Sequence, residues 1–199
     1  NACTISLDGK LIVSASADHT LKVWDVHSGE ILLTLEGHTD AVNGCAINKA
    51  KAFIVSASSD HTLRLWDMMT GTERLWLVGH ASDVNDCAIS PAGDFIVSAS
   101  DDHTLRVWQT NNGVEQMVLR GHTDVVNACA ISEDGTIIIS VSADDTVRVW
   151  DAHNGREHAT LTGQRSWTQG GLLSCAISPD STIAVSGSVD DVLDVWDLS

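Results

Sequence analysis

The feature that most constrains this chain is a period of 42 residues carried by four residue types at once. Trp24, Trp66, Trp108, Trp150 and Trp196 follow one another at 42, 42, 42 and 46 residues. Gly37-His38, Gly79-His80 and Gly121-His122 keep the same step, and Asp18, Asp60, Asp102, Asp144 and Asp190 each stand six residues before a repeat tryptophan. Cys3, Cys45, Cys87, Cys129 and Cys175 recur in register with them. Such a period marks one supersecondary unit copied along the chain, too small to bury its own apolar surface and stable only against its neighbours. Cut at equivalent points, the chain reads as a single repeat domain of units 1–42, 43–84, 85–126, 127–172 and 173–199.

Inside a unit the pattern predicts four short strands, at 41–47, 52–58, 62–66 and 73–77, with polar and glycine positions between them. No segment sustains a helical period. Four strands joined by short turns form an antiparallel sheet whose two apolar faces both need cover. Stacking such sheets face to face around an axis provides that cover and leaves only short edges. The predicted fold is therefore all-β, a propeller with about five four-stranded blades. The first unit begins partway through a first strand and the last stops after a third, so the ring is expected to be incomplete. Such open ends would belong to a longer propeller or associate with one another.

Composition narrows the partners. With 27 acidic residues against 11 basic ones, the formal charge of −16 repels a phosphate backbone and an anionic membrane surface, so neither nucleic acid nor membrane is an expected partner. No apolar run approaches the roughly 18 to 20 residues of a membrane helix, and a cytoplasmic location is expected. There is no glycine-rich phosphate loop, no metal-ligand spacing and no singular acid–base pair, so no cofactor, no metal and no enzymatic activity are expected. The five cysteines form no Cys-x-x-Cys pair and read as small buried hydrophobes.

Gly121-His122, Ser140-Val141-Ser142-Ala143-Asp144 and Val149-Trp150-Asp151, with their counterparts in the other units, resemble the tryptophan-aspartate (WD) repeat family over essentially the whole chain. The resemblance implies a β-propeller acting as a non-catalytic scaffold for a protein or peptide partner. It also implies a hydrogen-bonded tetrad in each blade: His38, Ser58, Asp60 and Trp66; His80, Ser100, Asp102 and Trp108; His122, Ser142, Asp144 and Trp150. A second serine in each unit, Ser56, Ser98 or Ser140, leaves the serine position open. The alternative functions are self-assembly of propeller fragments and a small-ligand-binding or enzymatic propeller.

In that family partners often meet the face built from the loops before the first strand and the turns between the second and third. Here this face gives Thr39, Ala41, Ala81, Asp83, Thr123, Val125 and Asp101 as candidate partner contacts. These positions differ between units while the framework does not. The fifth unit departs further: Gln164 stands where the histidine is expected and four extra residues enlarge 164–173, adding Arg165 and Trp167 as candidate contacts. Gln109 replaces the aspartate after Trp108, and Trp76 lies on an outermost strand.

Overall fold

In a computed structural model, residues 1–48, 50, 52–162 and 171–198 are described; among them every regular element is a strand. The first sheet contains β1 (Ala2–Ile5), β2 (Leu11–Ala15), β3 (Leu21–Asp25) and β4 (Ile31–Leu35). The second contains β5 (Val42–Asn48), β6 (Phe53–Ser58), β7 (Thr62–Asp67) and β8 (Glu73–Val78), each within a residue or so of the expected spans. The third contains β9 (Val84–Ile89), β10 (Phe95–Ser100), β11 (Thr104–Gln109) and β12 (Glu115–Arg120). The fourth contains β13 (Val126–Ile131), β14 (Ile137–Ser142), β15 (Thr146–Asp151) and β16 (Glu157–Thr162). The fifth has three described strands, β17 (Leu172–Ile177), β18 (Ile183–Ser188) and β19 (Leu193–Asp197). Each sheet is an antiparallel meander in chain order.

Period-two alternation decides how the sheets stack. In the second sheet, Ile54 pairs with Trp66 across β6 and β7 and faces the first sheet, while the alternate pairs Val55 with Leu65 and Ala57 with Leu63 face the third. Both sets are buried. The rule repeats one sheet on, where Ile96 and Trp108 reach back to Leu63 and Leu65 while Val97, Ala99, Leu105 and Val107 meet Ile138 and Trp150. Each such side chain contributes roughly 1.5 to 3 kcal/mol on leaving water, so the stability of a sheet resides in its neighbours.

The first strands form the inner layer, β5 lying against β1 and β9, and β13 against β9 and β17. The sheets are not closed into a ring. Asparagines stitch this layer together: Asn1, Asn43, Asn85 and Asn127 each donate Nδ2–H to a backbone carbonyl of the next sheet, at Val42, Val84, Val126 and Leu172. In the second, third and fourth sheets the glycine of the third-to-fourth turn, Gly71, Gly113 or Gly155, sits under the preceding outer strand. A Cβ on Gly113 (φ +71°) would lie 2.7 Å from the Leu77 side chain, so another residue there meets both a strained backbone angle and a close contact.

All five cysteines are free. Burial holds for Cys87 and Cys129, whose thiols it pushes well above their usual pKa, and partly for Cys45 and Cys175. Cys3 departs from the expectation and is exposed, because no sheet covers its side of the first one.

Candidate functional site

In the second, third and fourth sheets the loop before the first strand is joined to the turn between the second and third by a buried polar chain. In the second sheet, His38 Nδ1 lies 2.7 Å from Asp60 Oδ2, His38 Nε2 lies 2.7 Å from Ser56 Oγ, and Trp66 Nε1–H donates to the same Ser56 Oγ at 2.9 Å. The same bonds join His80, Asp102, Ser98 and Trp108, then His122, Asp144, Ser140 and Trp150. Donor inventory fixes the protons. The carboxylate only accepts, so Nδ1 carries the histidine hydrogen, and the serine O–H donates to Nε2 while its oxygen receives the indole N–H. Each histidine ring also meets its tryptophan edge-on, at 6.1 Å in the second sheet.

The serine is therefore not the expected one. Ser56, Ser98 and Ser140 occupy the chain, whereas Ser58, Ser100 and Ser142 lie at the strand ends. There they donate to the carbonyls of Asp40, Ser82 and Asp124 and accept the amides of Asp60, Asp102 and Asp144. The reason is register. Trp66 stands opposite Ile54, so its indole reaches Ser56, two residues along the same face, and stops short of Ser58.

Hydrogen bonds keep the aspartates of these networks ionised despite their burial. Burial alone would raise the Asp60 and Asp102 carboxyls, but hydrogen bonds from the histidine, a threonine hydroxyl and a loop amide outweigh it and keep both well below the usual carboxylate range. Against the same burial, Asp144 is held at about 2 by Thr146, the Thr123 amide and His122. Burial also lowers His122, which stays neutral between its partners. Ser–His–Asp connectivity is that of a hydrolytic triad, yet here Ser56, Ser98 and Ser140 are fully buried and their oxygens are already bonded to an indole. No substrate carbonyl can reach them, and the constellation acts as a brace.

What the brace holds is the candidate contact loop. Asp60 Oδ2 accepts the Thr39 amide at 3.1 Å, Asp102 that of Ala81 at 3.1 Å, and Asp144 that of Thr123 at 2.9 Å. Thr39, Ala81 and Thr123 are exposed, while Ala41, Asp83 and Val125 are half-buried beside them. Asp101 is also half-buried, but its carboxylate receives Asn85 Nδ2–H at 2.6 Å, so it serves the stitching between sheets as well. Arg165 and Trp167 lie outside the described residues. Trp76 is 59% exposed, with the Arg64 guanidinium 5.5 Å from its ring.

Two features escaped the sequence reading. The asparagine series keeps the same register as the cysteines, and that coincidence was its signal. Asp86 breaks a run of small residues, Ala2, Gly44 and Ala128, on the inner strands. Its oxygens accept the amides of Cys87 and, across the sheet interface, Cys129. Burial pushes its carboxyl up to about 6 despite those bonds. A Cβ on Gly44 would sit 2.9 Å from the Asp86 Cα, so the neighbouring sheet must stay bare there.

On the opposite face, a recess of about 670 Å³ opens among Leu7, Ile47, Ile89, Pro91 and Ile131, away from the described candidate contacts. Among the described residues, no group of three His, Cys, Asp or Glu side chains could hold a metal ion, and no helix is long and apolar enough to cross a membrane.

Four-stranded meanders stacked by their faces, the middle three braced by a buried histidine–serine–tryptophan–aspartate chain, define a propeller-type repeat protein. The sequence model of the WD domain, G-beta repeat, matches residues 1–25, 29–67, 71–109, 113–151 and 155–197, and the chain belongs to that family. The matched repeats run in a different phase from the sheets, each later one starting just before the outer strand of the preceding sheet.

Among curated proteins, the chain is similar to nuclear distribution protein PAC1-2 of Postia placenta, 50% identical over 36 residues, covering 18% of this chain and 8% of that protein. It is also similar to a lissencephaly-1 homolog of Caenorhabditis briggsae, 54% identical over 33 residues, 17% of this chain and 8% of the relative. A third likeness, to nuclear distribution protein PAC1 of Arthroderma otae, reaches 58% over 31 residues, 16% of this chain and 7% of the relative. Each match is shorter than one repeat period and covers under a tenth of the relative.

Proposed function

We propose that this chain is a non-catalytic scaffold that holds a protein or peptide partner on the face built from the loops before the first strands and the turns between the second and third. The observation that carries this reading is the bond from each buried aspartate to a loop amide, made at Thr39, Ala81 and Thr123. The repeated residues fix the backbone at the place where the sequence varies from unit to unit. Loops held in this way lose little conformational entropy on binding, which favours affinity. Asp40, Asp83, Asp124 and Asp145 accompany them on that face, so the fitting partner segment carries basic side chains.

The curated relatives are named for nuclear distribution and lissencephaly, but the short matches carry the repeat rather than a role, and neither role is assigned to this chain. The five free thiols suit a reducing compartment and support a cytoplasmic placement.

The test is capture with the folded chain as bait, comparing the wild type with an Asp83→Arg, Thr123→Arg variant and with Glu133→Lys on the opposite face. The reading expects one protein to be retained by the wild type and by Glu133→Lys and lost from the double variant. Equal retention by all three baits would refute the placement.

A further inference from the structure

We propose that the turn between β11 and β12 docks an acidic side chain of a partner protein, which takes the place of a carboxylate that this turn lacks. In the first, second and fourth sheets the third strand ends in an aspartate that caps the turn after it. Asp25 Oδ1 accepts the His27 and Ser28 amides at 2.9 and 2.8 Å. Asp67 Oδ1 accepts those of Met69 and Thr70, both at 2.9 Å, and Asp151 Oδ1 those of His153 and Asn154, at 2.8 and 3.1 Å. The third sheet has Gln109 at that position, and among the described residues nothing accepts the equivalent amides of Asn111 and Asn112, which lie in an exposed turn.

The donors are nonetheless held where a carboxylate needs them. Gly113 N–H donates to the Gln109 carbonyl at 2.9 Å, as Gly29, Gly71 and Gly155 do in their own turns, and all four glycines share a φ of +71°. Val114 N–H donates to Asn112 Oδ1 at 3.0 Å, matching the bond from the Arg156 amide to Asn154. The turn thus keeps its shape without its cap, so little ordering accompanies binding. In the capped turns such amides favour the charged form: the Ser28 amide foremost holds Asp25 below the usual carboxylate range, and the His153 amide does the same for Asp151.

Beside the turn, a recess of about 520 Å³ opens among Phe53, Leu65, Leu75, Arg74, Thr110 and Asn111. Its lining is largely apolar and holds a guanidinium but no carboxylate, in a chain of formal charge −16. Arg74 is bonded to Asp67 through Nε and Nη2, yet its side chain stays 39% exposed. On the other side of the turn, a second recess of about 620 Å³ is lined by Asp94, among others, and suits a carboxylate less. The fitting segment therefore carries an aspartate or glutamate for the turn amides beside an apolar side chain for the first recess. In a meander this turn stands at the other end of the strands from the loops of Thr39, Ala81 and Thr123, so the site works independently of them.

Amide proton–nitrogen correlation spectra test this, with the chain titrated by acetyl-Leu-Asp-Leu amide, by acetyl-Leu-Asn-Leu amide and by acetate. The expected result is saturable shifts centred on Asn111 and Asn112 with the aspartate peptide, and binding about tenfold weaker for the asparagine peptide and for acetate. In Gln109→Asp the chain's own carboxylate fills the site, so the two amides should start out shifted and no longer respond, while a melting curve shows the variant folded. Shifts that are absent, spread over the surface or retained in Gln109→Asp overturn the proposal. So do shifts as strong with the asparagine peptide or with acetate as with the aspartate peptide.

Discussion

Ser56→Ala is the sharpest perturbation of the brace. It removes the hydroxyl that links Trp66 Nε1, 2.9 Å away, to His38 Nε2, 2.7 Å away, at a position fully closed to solvent. Water cannot replace it without opening the sheet interface, so an indole N–H and an imidazole nitrogen are both left unsatisfied. At roughly 1 to 3 kcal/mol per buried orphan, less what relaxation recovers, the expected loss is about 2 to 4 kcal/mol. For a chain of this size that lowers the melting temperature by about 5 to 15 °C.

Thermal melting followed by circular dichroism measures the loss, and two comparisons make it specific. Ser58→Ala forfeits bonds of 3.1 and 3.2 Å at a strand end and should fall less. In a Trp66→Phe background the indole donor is already gone, so Ser56→Ala should then cost about 1 kcal/mol less than it does alone. A Ser56→Ala protein that melts with the wild type, or losses that simply add in the double variant, would refute the chain of bonds.

Gln109→Asp should stabilise by about 0.5 to 1 kcal/mol, read from the urea midpoint, because Asp67 at the equivalent site accepts the amides of Met69 and Thr70, both at 2.9 Å. Asp86 binds its proton more tightly folded, at about 6, than the ordinary 3.8, so the folded state holds an extra proton between those values and stability falls as pH rises through them. Asp86→Asn keeps only one of the two acceptor bonds, so what should change is the difference from the wild type, which should move in the variant's favour by roughly 1 to 3 kcal/mol from pH 4 to pH 7; a constant difference across that range would contradict this. Trp66→Ala should cost about 3 to 5 kcal/mol of folding stability, whereas Trp76→Ala, at a largely exposed ring beside the Arg64 guanidinium, should cost about 1 kcal/mol or less in the same melt.

The strand order and the division into sheets were legible because they follow from spacing: a tryptophan every 42 residues and alternation on either side of it. The serine of the brace was not. Ser56 and Ser58 share a face and differ only in how far the Trp66 indole reaches, and that depends on its pairing with Ile54, which composition does not encode. The asparagine stitching was hidden for a related reason, since its acceptors are backbone carbonyls 41 to 45 residues away and carry no side-chain signature. Asp86 could have been found, because it breaks its own series as plainly as Gln109 breaks another. The exposure of Cys3, by contrast, depends on which sheet has a neighbour, and the repeat alone predicts every copy to be alike.

Residue-resolved hydrogen exchange tests most directly whether the sheets depend on one another for their stability. Amides of β6, β7, β10, β11, β14 and β15, in sheets covered on both sides, should exchange slowest, and those of β2, β3, β18 and β19, in sheets bare on one side, fastest. Equal protection across all five sheets would mean that each stands alone, and would contradict the account.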